Sequence, residues 1–296
     1  MRIALVQLYI DHQNKENNWA QAEFYMAQAA QQKVDLLVFP EFFLGGPGRK
    51  STLVKPAQRL GQLAQKYQID LVPGTVIEQD EQGQFHNVAY YIDKSGDVLL
   101  KYNKVHLWQH ERKYLQQGDF DFGTAKNRFG IMVGICACWD ISVPEVFREM
   151  ALNGNAQLII VPAYWTLTES DDPQNKYNVE SEIKLVNHMC ASRAFENGIC
   201  VAFCDAAQRR YQHDNTASGS PFGILCGASQ IAVPLNGVVA EAKGDHECLL
   251  ITDIDVASVT ANAEKEFQIR SEWQSGRIFS GHGSSTINNR KILPKL

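Results

Sequence analysis

Three residues of this chain have side chains that could together carry out nucleophilic catalysis: Glu41, Lys104 and Cys138. A cysteine becomes a strong nucleophile when a base removes its proton, and a carboxylate can be that base if burial raises its pKa. An ammonium group or a backbone N–H beside the attacked carbon can stabilise the oxyanion of a tetrahedral intermediate. A carboxylate, an ammonium and a thiol are therefore a sufficient set for acyl transfer through a thioester.

The elements that precede these residues would place them at one edge of a sheet. Each residue comes at or just after the end of a predicted strand: Glu41 after 34–39, Lys104 after 98–102 and Cys138 after 129–136. Residues 2–8 and 34–39 predict strands on either side of a helix at 19–32, which favours an α/β fold with a largely parallel sheet. In such sheets the carboxyl ends of the strands are where ligands bind and reacting groups collect.

The rest of the chain continues this alternation without a Pro/Gly/Ser-rich linker, so we predict a single domain over 1–278 and an extended tail over 279–296. Turn clusters on both sides of 86–93 predict antiparallel strands there. Ser142 and Glu145 have capping-box spacing, Pro144 suits a first helical turn, and Gly154 suits a helix end. Further helices are predicted at 56–67, 143–153 and 180–196, and further strands at 71–77, 86–93, 98–102, 129–136, 157–161, 198–204, 228–234, 238–242 and 249–254.

Composition excludes several classes of function. The 296 residues include 28 Lys and Arg against 33 Asp and Glu, a net charge of −5, and no basic cluster of the kind that binds nucleic acid. The chain has neither an apolar stretch of membrane-spanning length nor an N-terminal secretory pattern. Seven cysteines, an odd number, favour reduced thiols and a cytoplasmic protein.

Three segments resemble the motif blocks of the nitrilase superfamily of carbon–nitrogen hydrolases. They are 38–46 (VFPEFFLGG), 101–108 (KYNKVHLW) and 134–145 (GICACWDISVPE), and the resemblance extends from about residue 2 to about residue 255. The order and spacing of the blocks make it specific. Further matches are Glu111 with Gly118, Arg148, Gly154, Pro162 with Trp165, 193–197 and 227–231.

The resemblance implies a four-layer αββα sandwich and a Glu-Lys-Cys triad. By position, Glu41 would be the general base and Cys138 the nucleophile. Lys104 and the backbone N–H of Trp139 would stabilise the oxyanion. Glu111 would be a second glutamate that positions the substrate or helps proton transfer, and the alternative is a solvated surface charge.

Other cysteines and histidines of the chain offer alternative catalytic or metal sites. Cys138 is preferred to Cys136 because it precedes Trp139, as the family pattern requires, and we expect Cys136 and the remaining cysteines to pack in apolar surroundings. His106 and His110 beside Glu111 lack a recognisable third ligand, so we expect no metal and no cofactor. A Cys-His enzyme of protease type stays possible in principle, although nothing identifies the histidine.

The substrate prediction depends on departures from the family pattern. True nitrilases carry Cys-Trp-Glu-His at the nucleophile, whereas Asp140 and Ile141 follow Trp139 here, which favours amide over nitrile hydrolysis. Ile141 and Ser142 occupy places where N-carbamoyl-D-amino acid hydrolases have arginines, which counts against carboxylated substrates of that kind. Asp205 replaces a family asparagine and puts the local network around it in doubt.

The predicted activity is therefore that of an amidase acting on a small amide. We expect aromatic walls from Phe42, Trp139, Tyr164 and Trp165. Phe43 is a further wall residue by position, and ordinary core or interface packing explains it at least as well. Alternatives are a nitrilase, an N-carbamoyl amidohydrolase, an acyltransferase that passes the acyl group to an amine, and a non-catalytic scaffold. The resemblance also implies a homodimer or a higher homo-oligomer, and no nucleic-acid or membrane partner is expected.

Overall fold

A computed structural model describes residues 1–53, 55–167, 181–208 and 223–278. The predicted tail over 279–296 lies outside these residues. The strands are β1 (Arg2–Gln7), β2 (Leu36–Val38), β3 (Asp70–Val72), β4 (Thr75–Gln79), β5 (Phe85–Ile92), β6 (Val98–Asn103), β7 (Thr124–Lys126), β8 (Met132–Ile135), β9 (Leu158–Pro162), β10 (Cys200–Cys204), β11 (Gln230–Val233), β12 (Gly237–Glu241) and β13 (Cys248–Asp253).

The helices cover the outer faces of two sheets. They are α1 (Lys15–Gln31), α2 (Pro56–Tyr67), α3 (Pro144–Arg148), which continues as a π-helical turn (Glu149–Asn153), α4 (Ser181–Asn197), α5 (Val256–Phe267) and α6 (Ile269–Gln274). Short 3-10 helices span Arg49–Ser51, Glu111–Lys113 and Cys138–Ser142. In the described parts of the chain, no helix is long and apolar enough to cross a membrane.

Each sheet has a parallel centre and antiparallel edges. The first has the order β13-β1-β2-β3-β5-β4, with β6 paired to β5, and the second has the order β12-β11-β10-β9-β8-β7. Strands β1, β2 and β3 run parallel, as do β8, β9 and β10. The antiparallel pairs include β4 with β5 and β11 with β12. The predicted α/β class with mixed sheets is confirmed.

Alternate residues of the central strands face two different cores. On β2, Leu36 and Val38 join the core between the sheets, whereas Leu37 joins the core under α1 and α2. Such a strand is buried on both faces, which is why it appears in the sequence as an unbroken apolar run. Helix α4 packs on the second sheet and contributes Val186 and Cys190 to its core. The layers are therefore helix, sheet, sheet, helix, as the αββα prediction stated.

Three local predictions were wrong. The strand predicted over 71–77 is divided into β3 and β4, because Gly74 turns the chain with φ +56° where an added Cβ would lie 1.8 Å from the carbonyl oxygen of Pro40. Ser142 does not cap α3, whose N-cap is Val143; its hydroxyl instead donates to the Trp139 carbonyl at 2.8 Å. The helix predicted over 143–153 changes to π-helical hydrogen bonding halfway, although Pro144 begins it as expected. Gly154 ends it, also as expected.

Candidate active site

Glu41 is fixed by backbone contacts at the end of β2. Its side chain is buried, with 1% of the residue exposed, and its N–H donates to the carbonyl of Ala163 at 3.1 Å. The next residue, Phe42, has φ +57°, and its N–H donates to the Thr75 hydroxyl at 3.1 Å. The bond to Ala163 joins the ends of the two sheets, since Glu41 follows β2 and Ala163 follows β9.

Lys104 follows β6 and extends into the same buried space. Its N–H donates to the Asn87 carbonyl at 2.8 Å, and its carbonyl accepts the Gly118 N–H at 3.0 Å. The ammonium donates to Glu41 Oε1 and to Glu111 Oε2, both at 2.8 Å. The structure thus brings together three of the four predicted catalytic side chains.

Glu111 belongs to this cluster and is 5% exposed, so the alternative of a solvated surface charge is wrong. Its Oε2 also accepts the Trp108 N–H at 2.6 Å. Asn87 completes the arrangement, since its Nδ2 donates to Glu41 Oε1 at 2.8 Å and to Glu111 Oε1 at 3.0 Å. Asn87 could not be predicted from the sequence, because a single asparagine in a strand carries no signal of its own.

The charges in this cluster shift the pKa values of its members. Burial raises the pKa of Glu41, although the ammonium of Lys104 opposes this effect. Burial on its own would lower the pKa of Lys104, but the carboxylates of Glu111 and Glu41 hold it well above its usual value. Two carboxylates therefore share one permanent ammonium. Glu41 can accept a proton more readily than an ordinary glutamate can, which suits a general base.

Cys138 lies at a sharp turn after β8. It is the first residue of the 3-10 helix and has φ +48°, a left-handed conformation that costs a non-glycine residue about 1–2 kcal/mol. Strain of this kind is typical of functional turns that aim a side chain. Trp139 lies in the first turn, where backbone N–H groups lack an acceptor within the helix, so its N–H is available in the way an oxyanion site requires.

Asp140 holds this turn in place and is fully buried. Its Oδ2 accepts the Ala137 N–H at 2.8 Å and the Tyr102 hydroxyl at 2.7 Å. Its Oδ1 accepts the His106 N–H at 3.1 Å and lies 2.7 Å from Nδ1 of the same histidine. The nucleophile turn is therefore attached to the segment that carries Lys104. In the sequence, Asp140 stands out only as a departure from the nitrilase pattern.

The environment of Cys138 keeps its thiol protonated at rest. Burial and the carboxylate of Glu41 raise its pKa well above the usual value, while Lys104 and a hydrogen bond from the Tyr164 backbone N–H act in the opposite direction. A thiol in these surroundings reacts when a base takes its proton during the attack. The charge of Glu41 acts on this sulfur, and the role of Glu41 as the base stays a prediction.

A family model described as carbon-nitrogen hydrolase matches residues 2–264, from β1 into α5, and so includes Glu41, Lys104, Glu111 and Cys138. The chain belongs to the carbon–nitrogen hydrolase family. The resemblance to the nitrilase superfamily is confirmed, and the protein is an enzyme that hydrolyses carbon–nitrogen bonds.

Relatives of this hydrolase include proteins described as nitrilases and as amidases. It is 31% identical over 232 residues to the probable nitrilase C965.09 of Schizosaccharomyces pombe, covering 75% of this chain and 76% of that protein. It is 28% identical over 271 residues to the human omega-amidase NIT2, covering 86% and 88%.

The fold of this hydrolase also matches a solved structure of a variant of the amidase from Nesterenkonia sp. AN1. The TM-score is 0.72 at 24% identity, covering 90% of this chain and 95% of that chain. In that protein, the acetamide moiety of fluoroacetamide is added covalently at the active-site cysteine. At this identity the likeness establishes the fold.

The four residues expected to form aromatic walls lie close to the nucleophile turn of the hydrolase. The Trp139 ring is 5.9 Å from that of Trp165, and the Phe42 ring is 6.2 Å from that of Tyr164. The Tyr164 hydroxyl is 3.1 Å from His12 Nε2. Their role in substrate binding stays a prediction. Phe43 is fully buried, with its ring 5.0 Å from that of Phe39, and packs in the core.

The other cysteines and the histidines differ from Cys138 in their surroundings. All seven cysteines are free thiols, and Cys136 is fully buried. Cys248 is half-buried, so the expectation that every remaining cysteine packs in apolar surroundings was wrong for this one. His106 is held by Asp140. Among the described residues, no group of three His, Cys, Asp or Glu side chains is arranged to hold a metal ion.

Proposed function

We propose that this hydrolase is an amidase that cleaves a small amide through a thioester on Cys138. The observation that carries the proposal is the buried cluster in which Lys104 contacts both Glu41 and Glu111 at 2.8 Å, next to a nucleophile in a strained turn. Relatives described as omega-amidase and amidase support the amide over the nitrile.

The first half of the reaction makes the thioester. Glu41 takes the thiol proton while the sulfur of Cys138 attacks the amide carbonyl, forming the S–C bond. The oxyanion that develops is stabilised by the Lys104 ammonium and by the Trp139 N–H. Glu41 then returns the proton to the leaving nitrogen, the C–N bond breaks, and ammonia or an amine departs.

The second half of the reaction releases the acid. Glu41, again a carboxylate, takes a proton from water as the water oxygen attacks the thioester carbonyl. The same two donors stabilise the second oxyanion. The C–S bond breaks, the carboxylic acid leaves, and the thiolate of Cys138 recovers its proton from Glu41. Glu111 touches Lys104 throughout and keeps the ammonium aimed at the oxyanion.

Comparison of two cysteine variants tests this assignment. Ammonia release from a panel of small amides, nitriles and carbamoyl compounds should be seen with the wild type and with Cys136→Ala, and should be lost in Cys138→Ala. Intact-mass analysis should find an acyl adduct on the wild type but not on Cys138→Ala. Absence of both ammonia and adduct with every compound would overturn the proposal, and added hydroxylamine would show acyl transfer by forming a hydroxamate.

We further propose that the amide substrate is uncharged near the reacting carbonyl. Ile141 is fully buried, and the hydroxyl of Ser142 donates to a backbone carbonyl, so neither position supplies a cation for a substrate carboxylate. A neutral aliphatic amide should therefore have a higher kcat/KM than the ω-amide of a dicarboxylic acid of similar length. The opposite ranking would refute this specificity.

Self-association is proposed from the exposed apolar side chains of the helical layer. Leu185 and Phe195 on α4 are 50% and 52% exposed, and the Phe195 ring is 5.1 Å from that of Phe267 on α5. Such side chains on neighbouring helices favour a contact with a second copy of the chain. Light scattering after size exclusion should give a dimer or larger for the wild type and a smaller species for Leu185→Glu; a wild-type monomer would refute it.

A further inference from the structure

Asp205, directly after β10, is the residue that replaces a family asparagine, and it is fully buried. Its Oδ1 accepts the backbone N–H groups of Trp165 at 2.8 Å and Ala206 at 2.9 Å. Its Oδ2 faces the N–H of Ala228 at 3.5 Å, and its own N–H donates to the Ser229 hydroxyl at 2.9 Å. One carboxylate thus joins the loop after β9, the end of β10 and the loop before β11.

The loop after β9 connects this carboxylate to the catalytic groups. Three consecutive residues make the connection. Ala163 accepts the Glu41 N–H at 3.1 Å, the N–H of Tyr164 donates to the sulfur of Cys138, and the N–H of Trp165 donates to Asp205. A displacement of the peptide at Trp165 would therefore move the contacts to both the base and the nucleophile.

We propose that Asp205 is a positioning residue that holds the 163–165 segment against Glu41 and Cys138. This inference rests on the proposed catalytic role of these two residues. Asp205 acts through the backbone: the carboxylate fixes the Trp165 N–H, and this in turn fixes the Tyr164 N–H that stabilises the thiolate. The aromatic side chain of Trp165 is placed by the same bond.

The ionisation state of Asp205 changes how firmly it holds this segment. The ionised form accepts hydrogen bonds on both oxygens, whereas the protonated form keeps one good acceptor and turns the other oxygen into a donor that faces N–H groups. Burial raises the pKa of Asp205 to about 7, although the N–H groups around it act in the opposite direction. The segment should therefore be held most firmly above about pH 7, and less firmly below it.

Of the groups that face one another around Asp205, only Asp205 is expected to titrate near pH 7. The thiols of Cys190 on α4, Cys204 on β10 and Cys226 before β11 interact with its charge. Burial raises the pKa of each thiol, so all three stay protonated through the neutral range. Among the described residues, no lysine, arginine or histidine forms an ion pair with Asp205.

His12 is a second titrating group on the same segment and must be separated from Asp205. It contacts the hydroxyl of Tyr164, and burial lowers its pKa from 6.5, although Asp11 opposes this effect. His12 therefore titrates at lower pH than Asp205. Any step in reactivity that belongs to His12 will lie below the step near pH 7 and does not depend on the carboxylate of Asp205.

Asp205→Asn is the sharpest test, because asparagine keeps the Oδ1 acceptor and resembles the protonated acid at every pH. The readout is the second-order rate at which iodoacetamide modifies Cys138, followed by peptide mass analysis from about pH 5.5 to about pH 8.5. This measurement needs no substrate, so it succeeds or fails independently of the amidase proposal. Asp70→Asn is the matched control: Asp70 is also fully buried but bonds to Tyr91 and Arg128.

The alkylation rate of any thiol rises with pH because the thiolate fraction rises. For the wild type we expect an additional step in the rate near pH 7. Asp205→Asn should lack this step, match the wild type at low pH, and be about five- to tenfold slower at high pH, the effect of about one hydrogen bond. Asp70→Asn should keep the step even if its Tm falls. A step near pH 7 that persists in Asp205→Asn, or a wild-type profile without one, would overturn the proposal; the second outcome is measured on the wild type alone.

Discussion

The two sheets supply the active site in different ways. The first sheet provides Glu41 and Lys104, which are held by opposite charges buried together and by the amide of Asn87. The second sheet provides Cys138, whose surroundings are held by two carboxylates that accept hydrogen bonds from neutral groups. Asp140 accepts the N–H of Ala137 in the nucleophile turn, and Asp205 accepts the N–H of Trp165 in the neighbouring loop. We call the residues from the first sheet the first side of the site and those from the second sheet the second side. The difference teaches that replacing a charged residue on the first side leaves a buried charge unpaired, whereas replacing a carboxylate on the second side displaces the backbone.

Lys104→Met should have the largest effect, because it leaves two buried carboxylates without their ammonium. We expect the free energy of unfolding to fall by about 3–5 kcal/mol and hydrolysis to be lost. The matched control is Lys101→Met, whose exposed pair with Glu78 at 3.4 Å should contribute less than about 1 kcal/mol. Chemical denaturation compares the two variants. Equal losses in the free energy of unfolding would contradict the view that buried opposite charges hold the first side.

Asp140→Asn should come next and tests the second side. The amide keeps one acceptor but directs its NH₂ at a donor, either the Ala137 N–H or the His106 N–H. We expect a loss of about 2 kcal/mol and about a hundredfold lower kcat, because the nucleophile turn moves. Asp80→Asn, in a partly exposed turn, is the control for loss of charge. A normal kcat in Asp140→Asn would show that the nucleophile turn keeps its conformation without the Asp140 carboxylate.

Asn87→Ala tests what the neutral hydrogen bonds contribute to the first side. It removes a neutral donor shared by the two carboxylates and should cost about 1–2 kcal/mol while reducing turnover. Asn127 is a buried asparagine outside the cluster whose oxygen accepts two N–H groups. Asn127→Ala should lose similar stability with unchanged turnover. If both variants keep full turnover, Asn87 is structural only.

The last effect depends on pH, concerns the second side, and is small over any single pH unit. The pKa of Asp205 is about 7 in the folded protein against 3.8 for an unperturbed aspartate, so the folded state binds the extra proton between these values. Stability from this group is therefore present at low pH and is lost as pH rises through about 7, by at most about 1.4 kcal/mol per pH unit. Urea denaturation at several pH values should give a flatter profile for Asp205→Asn than for wild type, whereas Asp70→Asn should keep the slope.

The strands that support the site could be predicted from the sequence where both of their faces are buried. Strands β1 and β2 appear as unbroken apolar runs because both of their faces pack, and the residues after such runs include Glu41 and Cys138. Helix α5 was missed because it buries only a few small side chains, Val256, Thr260 and Ala263, and so lacks a strong apolar stripe. The short strand β7 pairs only at an edge and has no apolar pattern of its own.

The polar supports of the site could not be read from residue types. Asn87, Asp140 and Asp205 act through single hydrogen bonds to groups that are distant in sequence, and no periodicity records such partners. The resemblance supplied Glu111, whereas local sequence left it equally explicable as a solvated charge. Its burial follows from the tertiary contact with Lys104, which only the packed sheets create.

The pairing of β1 with β13 has a consequence for synthesis of the chain. Arg2 lies opposite Asp253 and Gln7 opposite Cys248, so β1 obtains this neighbour only after synthesis has reached residues 248–253. Until then the sheet that presents Glu41 has an open edge beside β1. A nascent chain should therefore stay inactive towards amides until β13 is added, and premature termination before residue 248 should yield chains that are degraded and not partly active enzyme.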